Sequence, residues 1–273
     1  MATGGIVAVF AHPDDETFGV GGVMAHYAEK GVPVTMVCAT RGEVGEISPG
    51  SDATPETLGQ YREQELRDAM AILGVTDVRF LNYRDSGMAG TEENANPQAY
   101  INAPAGEVVA ALVAIIRERK PDAIVTWDLS GGYGHPDHIA THHHATAAFH
   151  AAAAPGGDDE PHATSRLLYT AIPMEEFAKL MEEMRKSGGG IEVAEDDQQM
   201  AELPRVRPNV MIDVGPHFEA KMKAMLTHKT QISDMDPFMR LPDKMRRDFF
   251  GREWFYRAVP PVEDGTMLDD IFA

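Results

Sequence analysis

The sequence predicts an α/β fold: a Rossmann-like, mostly parallel sheet flanked by helices, with a less regular C-terminal elaboration. Three observations lead there. Short apolar runs alternate with segments of helical period through roughly the first 170 residues, as successive βα units require. The runs are continuously apolar, GIVAVFA at 5–11 among them, which suits strands covered on both faces. Two of them end in a His-Pro-Asp turn, HPDDE at 12–16 and HPDH at 135–138, where an open parallel sheet places its ligands.

Taken in order, GIVAVFA is the first strand, and Glu16 to Lys30 follows with Phe18, Val20, Val23, Met24 and Tyr27 near helical spacing and Gly31 as a stop. VPVTMVCAT is the second strand, Pro55 to Leu73 a helix closed by Gly74, and VRFLNY the third strand. DSGMAGTEENANPQAYINAP has many turn formers and little periodicity, so it reads as a long loop of the kind that carries function. A helix over 105–119, the strand PDAIVTWD, a helix through HIATHHHATAAFHAAAA and the strand RLLYTAIP complete the regular part. Beyond it, PMEEFAKLMEEMRK is expected to be helical, 187–204 an acidic excursion, RPNVMIDVG a return to regular structure and 221–229 a helix. No repeat or domain-scale linker is visible, so a single domain over 1–273 is expected, with its core at about 5–232 and an extension at 233–273.

Composition narrows the partners. The 24 Lys and Arg against 43 Asp and Glu leave a formal charge of -19, which repels nucleic acid and anionic membranes. One cysteine, Cys38, excludes an intrachain disulfide framework. The opening residues lack a basic leader, and no apolar stretch there spans a bilayer, so a cytoplasmic protein acting on a small molecule is expected; homo-oligomerisation is left open.

The chemistry concentrates in the two His-Pro-Asp turns. Imidazole and carboxylate are suitable donors for zinc, and His12 and Asp15, three apart across a turn that Pro13 stiffens, can chelate one ion. The bland alternative is that Asp14, Asp15 and Glu16 merely complement a helix N-terminus. The second turn tips the balance, because His138 can complete a facial His-Asp-His set with open positions. The run His142, His143, His144 cannot share an ion, since consecutive helical residues point about 100° apart, so packing or exposure is expected for most of it.

These residues resemble the LmbE-like, or PIG-L, zinc-dependent N-acetylglucosaminyl deacetylases. AHPDDE at 11–16 and HPDH at 135–138 are similar to the family's two motifs, with support from TRGEVGE at 40–46, the stretch 61–75, YRDSGM at 83–88 and THKTQI at 227–232. RGEVGE, DSGM and GGYGHPDH look closest to the mycothiol- and bacillithiol-pathway deacetylases and the mycothiol-conjugate amidase. The resemblance implies His12, Asp15 and His138 as metal ligands and Asp14 as general base. It implies His135 as oxyanion stabiliser or proton donor, Tyr133 at the substrate carbonyl, and Arg62, Asp85 and His228 near the sugar.

The chemistry agrees with hydrolysis: a divalent ion on this set activates water and polarises an amide, and Asp14, beside a ligand without being one, can take the proton. Asp137 suits an orienting group for a ligand histidine, or a helix cap. Of Arg41, Arg62 and Arg84, one guanidinium is expected to turn into the pocket. The leading expectation is thus removal of an N-acyl group, acetyl by resemblance, from a glucosamine conjugate, with Zn2+ or Fe2+ as the ion. The alternatives are an amidase for a larger thiol conjugate and a non-catalytic carbohydrate-binding protein. A dinucleotide-binding reading ranks low, because no GxGxxG follows the first strand.

Overall fold

The computed structural model describes residues 4–156, 159–186, 205–231 and 238–273; the acidic stretch at 187–204 lies outside them. The elements are β1 (Ile6–Phe10), α1 (Asp15–Gly19), α2 (Gly21–Glu29), β2 (Val34–Cys38), α3 (Leu58–Ile72), β3 (Asp77–Phe80), α4 (Ala105–Arg119) and β4 (Ala123–Thr126). They continue with the short turn α5 (Gly131–Gly134), α6 (Pro136–Ala152), β5 (Arg166–Thr170), α7 (Met174–Lys186), β6 (Val210–Asp213), α8 (Phe218–Met225), α9 (Asp243–Phe250) and β7 (Arg252–Val259).

The seven strands lie in the order β3-β2-β1-β4-β5-β7-β6. The first five pair in parallel, and β7 runs antiparallel to both β5 and β6. Along β1 the side chains alternate between two cores, as the pleat demands. Ile6, Ala8 and Phe10 join Met24 of α2, Met70 of α3 and Ala224 of α8. Val7 and Val9 join Leu112 of α4 and Phe149 of α6. The continuous apolar run therefore reports a strand covered on both sides.

Chain order reverses between β1 and β4: β2 and β3 build outward on one flank of β1, and the chain then crosses to begin the other flank at β4. That is the switch point at which a parallel sheet opens a crevice beyond its carboxyl edge. Both His-Pro-Asp turns follow those two strands.

The expected first helix is two, broken at Val20, so the GVGG stretch sits at their junction rather than inside one helix. The helix expected over 221–229 is α8, which begins three residues earlier and ends at Met225, followed by a 3-10 turn over Lys229–Gln231. The C-terminal residues contribute the eight-residue β7, inserted between β5 and β6. The long 85–104 loop carries only two 3-10 turns and is anchored by Tyr100, which is wholly buried.

Candidate metal-dependent active site

Four residues, 11–14, join β1 to α1, and the carboxylates here bond back to the turn itself. Asp15 Oδ2 accepts the amides of Ala11 and His12 at 3.1 and 2.9 Å, which folds the turn back on the strand end. Glu16 Oε2 accepts the Asp14 amide at 2.8 Å. Asp14 sits at φ 122°, ψ -35°, backbone that a side-chain-bearing residue adopts only when its surroundings compel it. The capping weighed as the bland alternative is absent at Asp14, whose side chain makes no cap bond.

The turn after β4 depends on glycine. Gly131 is at φ 61°, and a Cβ there would lie 2.7 Å from the His138 Cβ. Its carbonyl lies 3.0 Å from His138 Nδ1, and accepting the Nδ1–H hydrogen bond directs Nε2 at the first turn. Trp127, closing β4, stacks on the imidazole with ring centres 4.3 Å apart.

The two turns converge. His12 Nδ1 and His138 Nε2 are 3.1 Å apart, His138 Nε2 lies 3.2 Å from Asp15 Oδ1, and His12 Nδ1 lies 3.8 Å from Asp15 Oδ2. Ligands at about 2.0–2.1 Å from a tetrahedral ion stand about 3.3 Å from one another, so the two imidazole nitrogens are spaced for one ion, and Asp15 turns one carboxylate oxygen toward each ring. The other nitrogen of each imidazole is engaged, as ligating histidines usually are. His12 Nε2 meets Asp137 Oδ2 at 3.1 Å, which leaves Nδ1 as its lone-pair donor. All three side chains are buried. Two further groupings of the same groups exist, His12 with His135 and His138, and His12 with Asp85, His135 and Asp137. The second would need the His12 nitrogen that Asp137 already occupies, and neither uses Asp15, the carboxylate nearest His138.

Charge follows the geometry. Burial pushes the Asp15 carboxyl up, but His138 and His12 outweigh it and hold it well below the carboxylate range. Asp14, buried and beside the Asp15 charge, is pushed up to about 7 despite Arg62 and His228. His135 takes the Asp137 amide on Nδ1 at 3.1 Å and thereby forms the N-cap of α6, a place the sequence reading considered for Asp137. With Nδ1 accepting, the neutral ring carries its proton on Nε2, and burial with the neighbouring histidines lowers its pKa to about 3.

Asp137 is fully buried, bonded to His12 and to the amide of Ser86 at 3.0 Å, with the Ser86 hydroxyl on its other oxygen. Asp85 lies 3.5 Å from His12 Nε2 and accepts the Gly87 and Val44 amides at 2.8 and 3.2 Å. Tyr133 is half exposed, its ring centre 5.0 Å from that of His138. Of the three arginines, Arg41 pairs with Glu63 and Arg84 with Glu93. Arg62 alone is buried, its guanidinium lying where a Cβ on Gly42 or Gly45 would stand. Among the central histidines of α6, His142 bonds the Trp127 carbonyl, His144 meets Tyr100 and His143 is exposed.

His228 is brought close, but behind the first turn: it is buried and meets Glu16 Oε1 at 2.9 Å. Glu16 is itself wholly buried, and Gln231 donates from Nε2 to Asp14 Oδ2. Sequence reasoning gave Glu16 and Gln231 no part in the site. The signal available for Gln231 was its place at the end of THKTQ, whose separation of more than 200 residues from HPDDE hides the contact.

The chain matches the family model described as GlcNAc-PI de-N-acetylase, PIG-L, over residues 7–149. A 1D-myo-inositol 2-acetamido-2-deoxy-alpha-D-glucopyranoside deacetylase of Geodermatophilus obscurus is 39% identical over 290 residues, covering 98% of this chain and 97% of the relative. Among solved structures, N,N'-diacetylchitobiose deacetylase of Pyrococcus horikoshii is similar with a TM-score of 0.66 at 22% identity, covering 94% of this chain and 84% of that one. GalB, the 4-carboxy-2-hydroxymuconate hydratase of Pseudomonas putida, is similar with a TM-score of 0.67 at 19% identity, covering 96% and 99%. The two structural likenesses carry the fold alone, since one frame serves a deacetylase and a hydratase. The family model spans more than half of the chain and the relative nearly all of it, and both His-Pro-Asp turns lie inside the matched region: the chain belongs to the PIG-L family.

Proposed function

We propose that this protein is a metal-dependent hydrolase that removes an N-acetyl group from a glucosamine conjugate, of the GlcNAc-inositol kind that its relatives' names describe. The observation that carries the reading is the spacing of His12 Nδ1, Asp15 and His138 Nε2, with Asp14 beside the set and outside it. His12, Asp15 and His138 would hold the ion, zinc by the donor set with ferrous iron as the other candidate. Bound there, a divalent ion polarises the amide carbonyl and brings water toward its conjugate base at neutral pH.

Asp14 takes a proton from the attacking water and returns it to the nitrogen as the C–N bond breaks, giving acetate and the free amine. Gln231 orients the Asp14 carboxylate, and Glu16 fixes its backbone. His135 presents Nε2–H to the oxygen on which negative charge gathers, a donor fixed before the reaction by the Asp137 amide. Tyr133, at the mouth, closes on the acyl carbonyl, and Arg62, with Asp85 beyond His12, faces the sugar hydroxyls. Asp137 holds the His12 ring. The chain acts as one domain, a reading supported by the C-terminal β7 lying inside the sheet.

The test is amine and acetate release from GlcNAc-inositol by metal-loaded protein, alongside Asp14→Asn. The variant should retain one ion per chain and lose turnover by roughly two to four powers of ten, the yield of a general base. Wild-type turnover in the variant would remove Asp14 from the mechanism; loss of the ion would place it among the ligands.

A further inference from the structure

Beside the cluster opens a cavity of about 400 Å³ that begins at Asp14 and Asp15, passes Gly132 and Tyr133, and runs between the end of β5, α7 and α9. Its wall is mostly apolar: Phe18, Ile172, Phe177, Phe249, Phe250 and Trp254 line it. Lys221 and Glu253 also face it, but they are spent on each other. Their Nζ to Oε1 distance is 2.7 Å, Lys221 donates further to the Phe18 carbonyl, and Glu253 accepts the amides of Gly22 and Val23. The acids Glu176 and Asp248 are exposed, at its rim.

Asp128, Thr170, Arg205 and Arg252 complete the polar part of the lining. Arg62, Asp85 and Ser86 do not line this cavity; Asp85 and Ser86 meet the site through His12 and Asp137, and Arg62 lies under the Gly42–Gly45 turn. A scissile amide at the cluster therefore has two unlike neighbours, a hydroxyl-matching side for the sugar and an apolar one. A methyl group is about the size of a water, whose share of liquid volume is about 30 Å³, so an acetyl leaves most of the cavity unused. Walls that are mostly apolar favour alkyl or aryl groups over sugar or inositol hydroxyls, most of whose desolvation they would not offset.

We propose that the cavity is an acyl pocket, and that the enzyme accepts N-acyl glucosamine conjugates whose acyl group is an alkyl or arylalkyl chain of about four to eight carbons as well as acetyl. This rests on the hydrolase reading above and extends it from acetyl to longer acyl groups. The reaction is unchanged in its balance: water adds to the carbonyl, the C–N bond breaks, the longer carboxylate departs and the amine takes the proton. Each methylene buried should raise kcat/KM about fourfold until the chain fills the cavity.

The experiment measures amine release by the metal-loaded enzyme from N-acetyl, N-butanoyl, N-hexanoyl and N-octanoyl glucosamine, with hexyl 2-acetamido-2-deoxyglucoside as a second arm. A rise of tenfold or more in kcat/KM from acetyl to hexanoyl supports the pocket. Ile172→Asp, which puts a charge in the wall at an already exposed position, should then cut the hexanoyl-to-acetyl ratio at least tenfold. A fall in rate with each added methylene, while acetyl is still cleaved, overturns the acyl pocket and leaves the hydrolase reading standing. A gain confined to the hexyl glucoside assigns the cavity to the aglycone and overturns the proposal. Absence of amine from every compound sinks the hydrolase reading together with it. Hexanoate should also inhibit acetyl hydrolysis at a concentration at least tenfold below acetate, and equal inhibition counts against the pocket.

Discussion

Asp14 is held by parts of the chain remote from it. Its backbone occupies a strained conformation, its amide is tied to Glu16, and its carboxylate receives Gln231 from the turn after α8. Gln231→Leu removes the donor while sparing all three proposed ligands. It should keep one ion per chain by elemental analysis and lower kcat roughly tenfold to a hundredfold, the scale on which misplacing a reacting group by about 1 Å acts. A similar argument concerns Asp137, whose bond to the His12 ring ties it to the proposed ligand set. Asp137→Ala should weaken zinc binding about 10- to 100-fold, read by competition with a chromogenic chelator, with far-ultraviolet circular dichroism unchanged. Unaltered zinc affinity would show that burial alone fixes the His12 ring.

At the scale of elements, α6 does two jobs along its length. Its first turn supplies His135, Asp137 and His138, and its middle supplies His142 and His144 to the packing. Burial lowers the pKa of both His142 and His144, with the neighbouring His143 acting in the same direction. The unfolded chain therefore binds protons on these rings below about pH 6.5 that the folded chain refuses. Stability is fully kept above that pH and declines as pH falls through it toward the lower folded values. The urea midpoint of metal-free protein should drop between pH 7 and pH 5.5, and His142→Asn with His144→Gln should flatten that decline. An identical pH slope in the double variant would assign the loss to other groups.

At the scale of the whole molecule, β7 makes the C-terminal part integral to the sheet. Glu253 on β7 reaches across to the start of α2 and pairs with Lys221 of α8, so three regions distant in sequence meet in one buried contact. Lys221→Met leaves the Glu253 carboxylate buried with two amide donors and no counter-charge. Breaking such a pair costs about 3–5 kcal/mol, to be read as a lowered urea midpoint. A loss below about 1 kcal/mol would mean that the amides alone satisfy the carboxylate.

The fold's first half was legible because each strand of a two-sided parallel sheet is a local apolar run and each crossover helix has its own period. β1, β2, α4 and β4 accordingly fall inside the predicted segments. β7 was not legible: its alternation, REWFYRAV with partial burial, depends on strands β5 and β6 that flank it only in space. The same divide runs through the site. His12, Asp15 and His138 could be singled out because both turns carry metal-binding residue types at strand ends, and Asp14, His135 and Asp137 beside them through the family resemblance and their places next to those three. That Asp137 faces His12, that Glu16 lies under Asp14, that Gln231 holds its carboxylate and that an apolar cavity adjoins it were decided by tertiary structure. Those contacts join residues up to more than 200 positions apart, and no local period or spacing encodes a distance that only chain packing brings within 3 Å.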